Sequence, residues 1–238
     1  INLLNKNKGK KIRWAIPTFD FNYFNGDIFG KPIFIDCDES GVISLNSLKK
    51  VNKNLFNKFD GVIIRAFNGN ESKLQEIINW AKENNKEFII ENSDGLIKEV
   101  GQYPFQIIGS KSFGFNDTCF LMLPKNIEIF SIINSHMSNS FTVDKIICAK
   151  AISTLIDVET WFPRYQMQAI RIDSIAHQIG LNPLIDYEVP SEFRLYLSNK
   201  IINPINNLKN ALHCFKPNKP NKKFKKSFFI YEHGIFFP

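Results

Sequence analysis

The sequence predicts an α/β protein, with a mainly parallel sheet and flanking helices in its first part and a helix-rich part after it. Three observations carry this. Short apolar runs alternate with amphipathic stretches through residues 1–138. The runs are nearly continuous in apolar residues rather than alternating, as strands covered on both faces are. The rhythm then changes near residues 135–141, giving two predicted domains, 1–138 and 139–238. Strand, helix and strand in sequence imply right-handed crossovers and hence parallel pairing.

The elements follow in order. Residues 12–16 form a short apolar run closed by Pro17, and residues 32–37 (PIFIDC) a second, running into Asp38. Residues 61–67 (GVIIRAF) are rich in β-branched side chains and lie between Asp60 and the turn-forming Asn68, Gly69 and Asn70. Residues 87–91 (EFIIE), 106–110 (QIIGS) and 118–123 (TCFLML) are the remaining strands of this part. Between them, Leu74, Ile77, Ile78 and Ala81 stand at i, i+3, i+4 and i+7, one apolar stripe of a helix over 71–84. Ser72 and Gln75 have the spacing of a capping box at its start. Residues 45–51 are a shorter helix.

Beyond the boundary, residues 143–158 and 167–179 are predicted helices, with Gly180 where a left-handed residue is wanted. The aromatic, charged cluster at 159–165 (ETWFPRY) reads as a packed turn between them, with Arg164 able to meet an anion. Residues 191–202 and 205–215, parted by Pro204, continue the helix-rich part. A lysine-rich linker and a short closing strand at 234–238 end it.

Composition narrows the function. A chain of 238 residues, 44% hydrophobic and 22% charged, buries a core without staples. Cys37, Cys119, Cys148 and Cys214 lie far apart with no CxxC, which reads as buried thiols in a reducing compartment. Neither a membrane-length apolar run nor a signal-peptide pattern is present, so a cytoplasmic protein is expected. The chain opens on Ile1 rather than Met, as a processed protein or a piece of a longer one does. Its net charge of +7 favours anionic partners. Lys216, Lys219, Lys222, Lys223, Lys225 and Lys226 crowd one stretch, expected as a solvated loop. Phe224, Phe228, Phe229 and Tyr231 interleave with it, a pattern that nucleic-acid-binding modules share with a strand packed under a basic loop. His136, His177, His213 and His233 show no ligand spacing, so no metal is expected. There is no GxSxG, P-loop or GxGxxG.

The residues that carry a family resemblance lie in 14–126. Ala15 to Phe19 (AIPTF) is similar to a "vPs(l/f)tF" strand end, and 32–38 with 44–48 to "PvFvDvd…ldp..le". Residues 61–81 are similar to "ailpvHlfGnp.dm..I..iA", and 87–92 to "lpviED". Residues 112–126, through Asp117, Phe120 and Lys125, are similar to "sfGD.gcFSFhptKn". In this order and near this spacing, they resemble the DegT/StrS-type sugar aminotransferases, pyridoxal-phosphate enzymes of fold type I.

The resemblance implies a homodimer that moves an amino group from glutamate onto a nucleotide-linked keto sugar, in polysaccharide or nucleotide-sugar biosynthesis. It implies pyridoxal phosphate, a lysine to bind it, and a carboxylate to keep its ring nitrogen protonated. It also implies hydroxyl and backbone N–H groups for the phosphate, and an imidazole beside the ring.

Carried onto this chain, Lys125 takes the lysine's place, although the seven-residue unit FSFhptK is matched by six residues, Phe120 to Lys125. Asn92 takes the carboxylate's place, with Asp94 two residues on. Leu121 takes that of the phosphate-binding serine, and Arg65 or Ala66 that of the histidine. Ile127, Glu128, Ile129 and Phe130 stand where the family has GEGG, and the Gly-Thr phosphate loop would precede Ile1. An amide cannot hold a pyridinium charge and Leu121 offers no hydrogen bond. The reading is therefore a degenerate aminotransferase with weak or no activity. The alternatives are a non-catalytic subunit that binds a sugar nucleotide or a partner, and a nucleic-acid-binding module.

Overall fold

The computed structural model describes residues 9, 11–18, 31–53, 58–66, 73–92, 106–109, 119–122, 145–184, 194–198 and 221–237. Its first part comprises β1 (Trp14–Pro17), β2 (Ile33–Ile35), α1 (Leu45–Asn52), β3 (Gly61–Arg65), α2 (Leu74–Glu83), β4 (Glu87–Asn92), β5 (Gln106–Gly109) and β6 (Cys119–Met122). They build one sheet in the order β2-β1-β3-β4-β5-β6. The first five strands pair in parallel, and β6 runs antiparallel to β5 at the edge. Every residue of β1 and of β3 is buried, which explains why their apolar runs are unbroken.

The stripe on α2 is the reason this helix lies on the sheet. Leu74, Ile77, Ile78, Trp80 and Ala81 pack in one core with Ala15, Val62, Ile64, Ala66, Phe88 and Ile90, which share a face of β1, β3 and β4. Helix α1 joins that core through Leu48. It starts at Ser44, whose Oγ accepts from Ser47 N at 3.2 Å. The capping box expected for α2 is not how that helix begins. Its N-cap is Lys73, with no side-chain bond, and the Gln75 amide reaches forward to Asn79 Oδ1 at 2.7 Å. Ser72 lies outside the described residues.

The second part comprises α3 (Lys145–Ile156), α4 (Val158–Gln178), β7 (Leu181–Pro183), β8 (Arg194–Ser198), α5 (Lys225–His233) and β9 (Gly234–Phe237). Strands β7, β8 and β9 form an antiparallel sheet in that order. This corrects the helix expected over 191–202. The stretch RLYLS suits either state by composition, and pairing on both sides decides for strand. It also places Tyr196 in a small core with Ala176 and Leu181, its hydroxyl 2.6 Å from Asp173 Oδ1 on α4. The second stretch expected to be helical, 205–215, lies outside the described residues.

The expected turn at 159–165 is corrected too, because α4 begins at Val158 and runs straight through Pro163. Pro163, the sixth residue of the helix, has no N–H to give to the carbonyl four residues before it. The break falls one turn earlier, at Asp157, whose carbonyl accepts from Thr160 N and Trp161 N. The Trp161 indole donates to Thr154 O at 2.8 Å across that break. Gly180, at φ 78°, ends α4 as expected. The lysine-rich linker enters a helix, α5, before the closing strand β9. Among the described residues, no helix is long and apolar enough to cross a membrane.

Candidate functional site

In an open parallel sheet the carboxyl ends of the strands form a crevice where the strand order reverses. Here the chain goes from β1 outward to β2 and then to β3 on the other side of β1, so the reversal lies between β1 and β3. That edge gathers Thr18 after β1, Asp36 after β2, Arg65 and Ala66 at the end of β3, Glu91 and Asn92 at the end of β4, and Gly109 at the end of β5.

The last helix is fastened to this edge by Asp36. Its Oδ1 accepts from Ser227 N at 2.9 Å and from Ser227 Oγ at 2.6 Å, and its Oδ2 from Lys226 N at 3.1 Å. A carboxylate thus caps the first turn of α5, where the orphan N–H groups and the helix dipole favour negative charge. The Ser227 hydroxyl also lies 2.7 Å from Thr18 Oγ1, within hydrogen-bond distance. Outside this knot, Lys226 Nζ meets Glu39 at 2.6 Å and holds the Glu39 carboxyl below its usual range.

Cys37 Sγ lies 3.3 Å from Ser227 Oγ. Burial first, and then the Asp36 and Asp38 charges, push its thiol up to about 12 against the lowering effect of the Ser227 bond. Such a thiol is inert as a nucleophile at neutral pH.

At the centre of the edge, Arg65 and Glu91 are register partners on β3 and β4. Arg65 Nε lies 2.9 Å from Glu91 Oε2, and the two side chains are only 6% and 13% exposed. This is an ion pair by distance rather than an aligned hydrogen bond. Buried charges are tolerated when paired, and here the two side chains face each other across neighbouring strands. The Glu91 carbonyl accepts from Ala66 N at 2.8 Å, closing the strand ends together.

Of the sequence-predicted site residues, Asn92 is the last residue of β4, opposite Ile108, and thus stands at this edge. Leu121 lies in β6, opposite Ile107. Asp94 and Lys125 lie outside the described residues. Strand direction bears on the lysine. Because β6 is antiparallel, Met122 faces Gln106 at the amino end of β5, and Lys125 follows Met122 in sequence. Strand β5 instead leaves the sheet at Gly109, on the side of Asn92, and Lys111 follows it by two residues.

A pyridoxal-phosphate ring that is to act as an electron sink needs a carboxylate at its nitrogen. Residue 92, which ends β4 at this edge, is an asparagine rather than a carboxylate, and the neighbouring Glu91 is already bound to Arg65. The described residues therefore do not fit a protonated ring. They also hold no group of three or more His, Cys, Asp or Glu able to bind a metal. The sequence left Asp36 and Ser227 without a role. The signals available were a carboxylate closing an apolar strand and a serine set among lysines.

No protein-family model matches the chain. Solved structures do match its fold. A DegT/DnrJ/EryC1/StrS aminotransferase from Brucella abortus superposes with a TM-score of 0.75 at 14% identity, over 99% of this chain and 77% of that one. DesV from S. venezuelae, solved in complex with a ketimine intermediate, gives 0.73 at 11% identity, over 99% and 76%. The E. coli GDP-4-keto-6-deoxy-D-mannose-3-dehydratase with bound hydrated PLP gives 0.70 at 14% identity, over 95% and 75%. Across nearly its whole length, the chain has the fold of the DegT/StrS-type PLP-dependent sugar aminotransferases.

Proposed function

We propose that this chain is a divergent aminotransferase-type protein whose crevice takes pyridoxal phosphate and a nucleotide-linked keto sugar, with glutamate-dependent transamination weak or absent. The observation that carries the second half is the neutral end of β4, where an amide at residue 92 stands beside a carboxylate bound to Arg65. The first half is supported by fold, by the ordered motifs, and by the ligands of the similar structures, one of which contains hydrated PLP and is named for a GDP-linked keto sugar. A homodimer belongs to the same reading. The same neutral strand end equally supports a non-catalytic subunit that binds the sugar nucleotide and a partner.

The lysine that would carry the cofactor is better sought at Lys111 than at Lys125. Phe105 to Lys111 (FQIIGSK) has the full seven-residue length of FSFhptK, which Phe120 to Lys125 lacks by one. It also overlaps a strand of the right direction, with its lysine on the carboxyl side. Gln106 then stands at the serine's place and, unlike Leu121, has hydrogen bonds to give.

The test is a titration with pyridoxal phosphate, followed by borohydride reduction and mapping of the modified lysine by mass spectrometry, with Lys111→Ala and Lys125→Ala as controls. Modification at residue 111 is expected, and its persistence in Lys111→Ala would refute the assignment. Half-transamination of glutamate is measured alongside. Each charge-assisted hydrogen bond missing at the ring is worth about 1.5–3 kcal/mol, so turnover should rise at least tenfold in Asn92→Asp. Efficient turnover by the unmodified chain would overturn the proposal of weak activity.

A further inference from the structure

We infer that α5 is a detachable strap: it lifts off the carboxyl edge as a unit while the parallel sheet stays folded, and so opens the β1–β2 side of the crevice. This motion needs no cofactor. Little holds the helix in place. An isolated helix shorter than about 12–15 residues is marginal in water, and α5 has nine residues, of which only Ser227 and Ile230 are buried. Its first turn contains no acidic residue, while Lys222, Lys223, Lys225 and Lys226 stand before and within that turn, at the end where the helix dipole is positive. Asp36 offsets this with the three hydrogen bonds that it accepts from Lys226 and Ser227. Ser227 Oγ accepts a further bond from Cys37 N at 3.3 Å.

The sheet does not depend on the helix in return. The core that joins its strands to α1 and α2 contains no residue of α5. An element fastened by a few polar contacts to a body with its own core opens separately, at less cost than global unfolding. At its far end α5 runs directly into β9, which pairs with β8, and His233 Nδ1 lies 2.9 Å from Ser198 O. Release at Asp36 therefore frees the end over the crevice and leaves the other end tied to the second sheet. Thr18 follows β1 and Asp36 follows β2, so lifting the first turn uncovers that flank of the strand-order reversal.

Cys37 reports the motion. Its thiol is buried, 3.3 Å from Ser227 Oγ, and with the helix docked it is pushed up to about 12 by burial and is unreactive. The test is alkylation of the folded protein with iodoacetamide, dilute enough that reclosing outruns the reaction. Modification of Cys37 is followed by peptide mass spectrometry at several urea concentrations below the unfolding transition. Cys37 should react in native buffer, with a urea dependence well below that of global unfolding, because little surface is exposed. Asp36→Asn should speed the reaction about tenfold or more, through weakened bonds to a charged acceptor. Ile230→Ala, which loosens the helix one turn beyond Ser227, should speed it as well. Ile78→Val weakens the core under α2, and should lower the urea midpoint while leaving the Cys37 rate in native buffer unchanged. Reaction with the full urea dependence of global unfolding, or none before the transition, would overturn the inference. So would an unchanged rate in Asp36→Asn, or a rate in Ile78→Val that rises by the factor of lost global stability.

Discussion

At the scale of single residues, two acidic groups three positions apart, Asp36 and Glu39, show how differently a carboxylate can be used. Asp36 accepts three hydrogen bonds from the first turn of α5 and satisfies the buried Ser227 hydroxyl. Glu39 meets Lys226 at the surface, with side chains 76% and 52% exposed. The first arrangement removes charge-assisted bonds from competition with water; the second is screened by it. Asp36→Ala is therefore expected to cost about 2–3 kcal/mol, through the lost cap and an unsatisfied buried hydroxyl. Glu39→Gln should leave the urea midpoint nearly unchanged. Urea unfolding of the two variants checks this, and equal midpoints would show that Asp36 does not fasten the last helix. Asp36→Asn keeps one acceptor oxygen and should fall between them.

At the scale of elements, close approach sets the start of β3. A Cβ on Gly61 would stand 2.6 Å from the Trp14 ring, and Trp14 is fully buried in β1 alongside. Neither strand can yield without disturbing the parallel pairing on which the crevice depends. Gly61→Ala should destabilise the protein by about 1–3 kcal/mol, as overpacking of a core does, and thermal unfolding followed by circular dichroism measures the loss.

The strands around this contact were legible in the sequence because burial on both faces leaves an unbroken apolar run, as in GVIIR and FII. Helix α2 was legible because its stripe has the period of the helix. Two things were not legible. RLYLS carries no local preference strong enough to announce β8, whose state is fixed by neighbours distant in sequence. The direction of a four-residue strand leaves no mark on its composition either. QIIG and CFLM read alike, yet one is parallel and the other antiparallel, and only their register shows which chain end leaves beside Asn92.

At the scale of the whole molecule, the second part leaves apolar surface outside. On α4, Ile172, Ile175 and Ile179 repeat at i, i+3 and i+7, and they are 38%, 60% and 67% exposed. On α3, Ile152 and Ile156 share a face at i and i+4, at 57% and 75%. Buried Ala169 and Ala176 account for the inner side of α4, so the isoleucines are surplus to its own core. Isoleucines on a solvent-facing stripe are costly to leave in water, at about 25 cal/mol per Å² of apolar area, and a stripe of this kind marks an association surface. A second copy of the chain is the partner expected from the proposed function, through a two-fold contact in which each stripe meets its equivalent. Sedimentation of the purified protein at micromolar concentration should therefore give a mass above that of one chain. Ile175→Glu places a charge at the middle of the stripe, and should shift the population to monomer while leaving the helix content unchanged. A clean monomer at high micromolar concentration in the unmodified chain would rule this contact out.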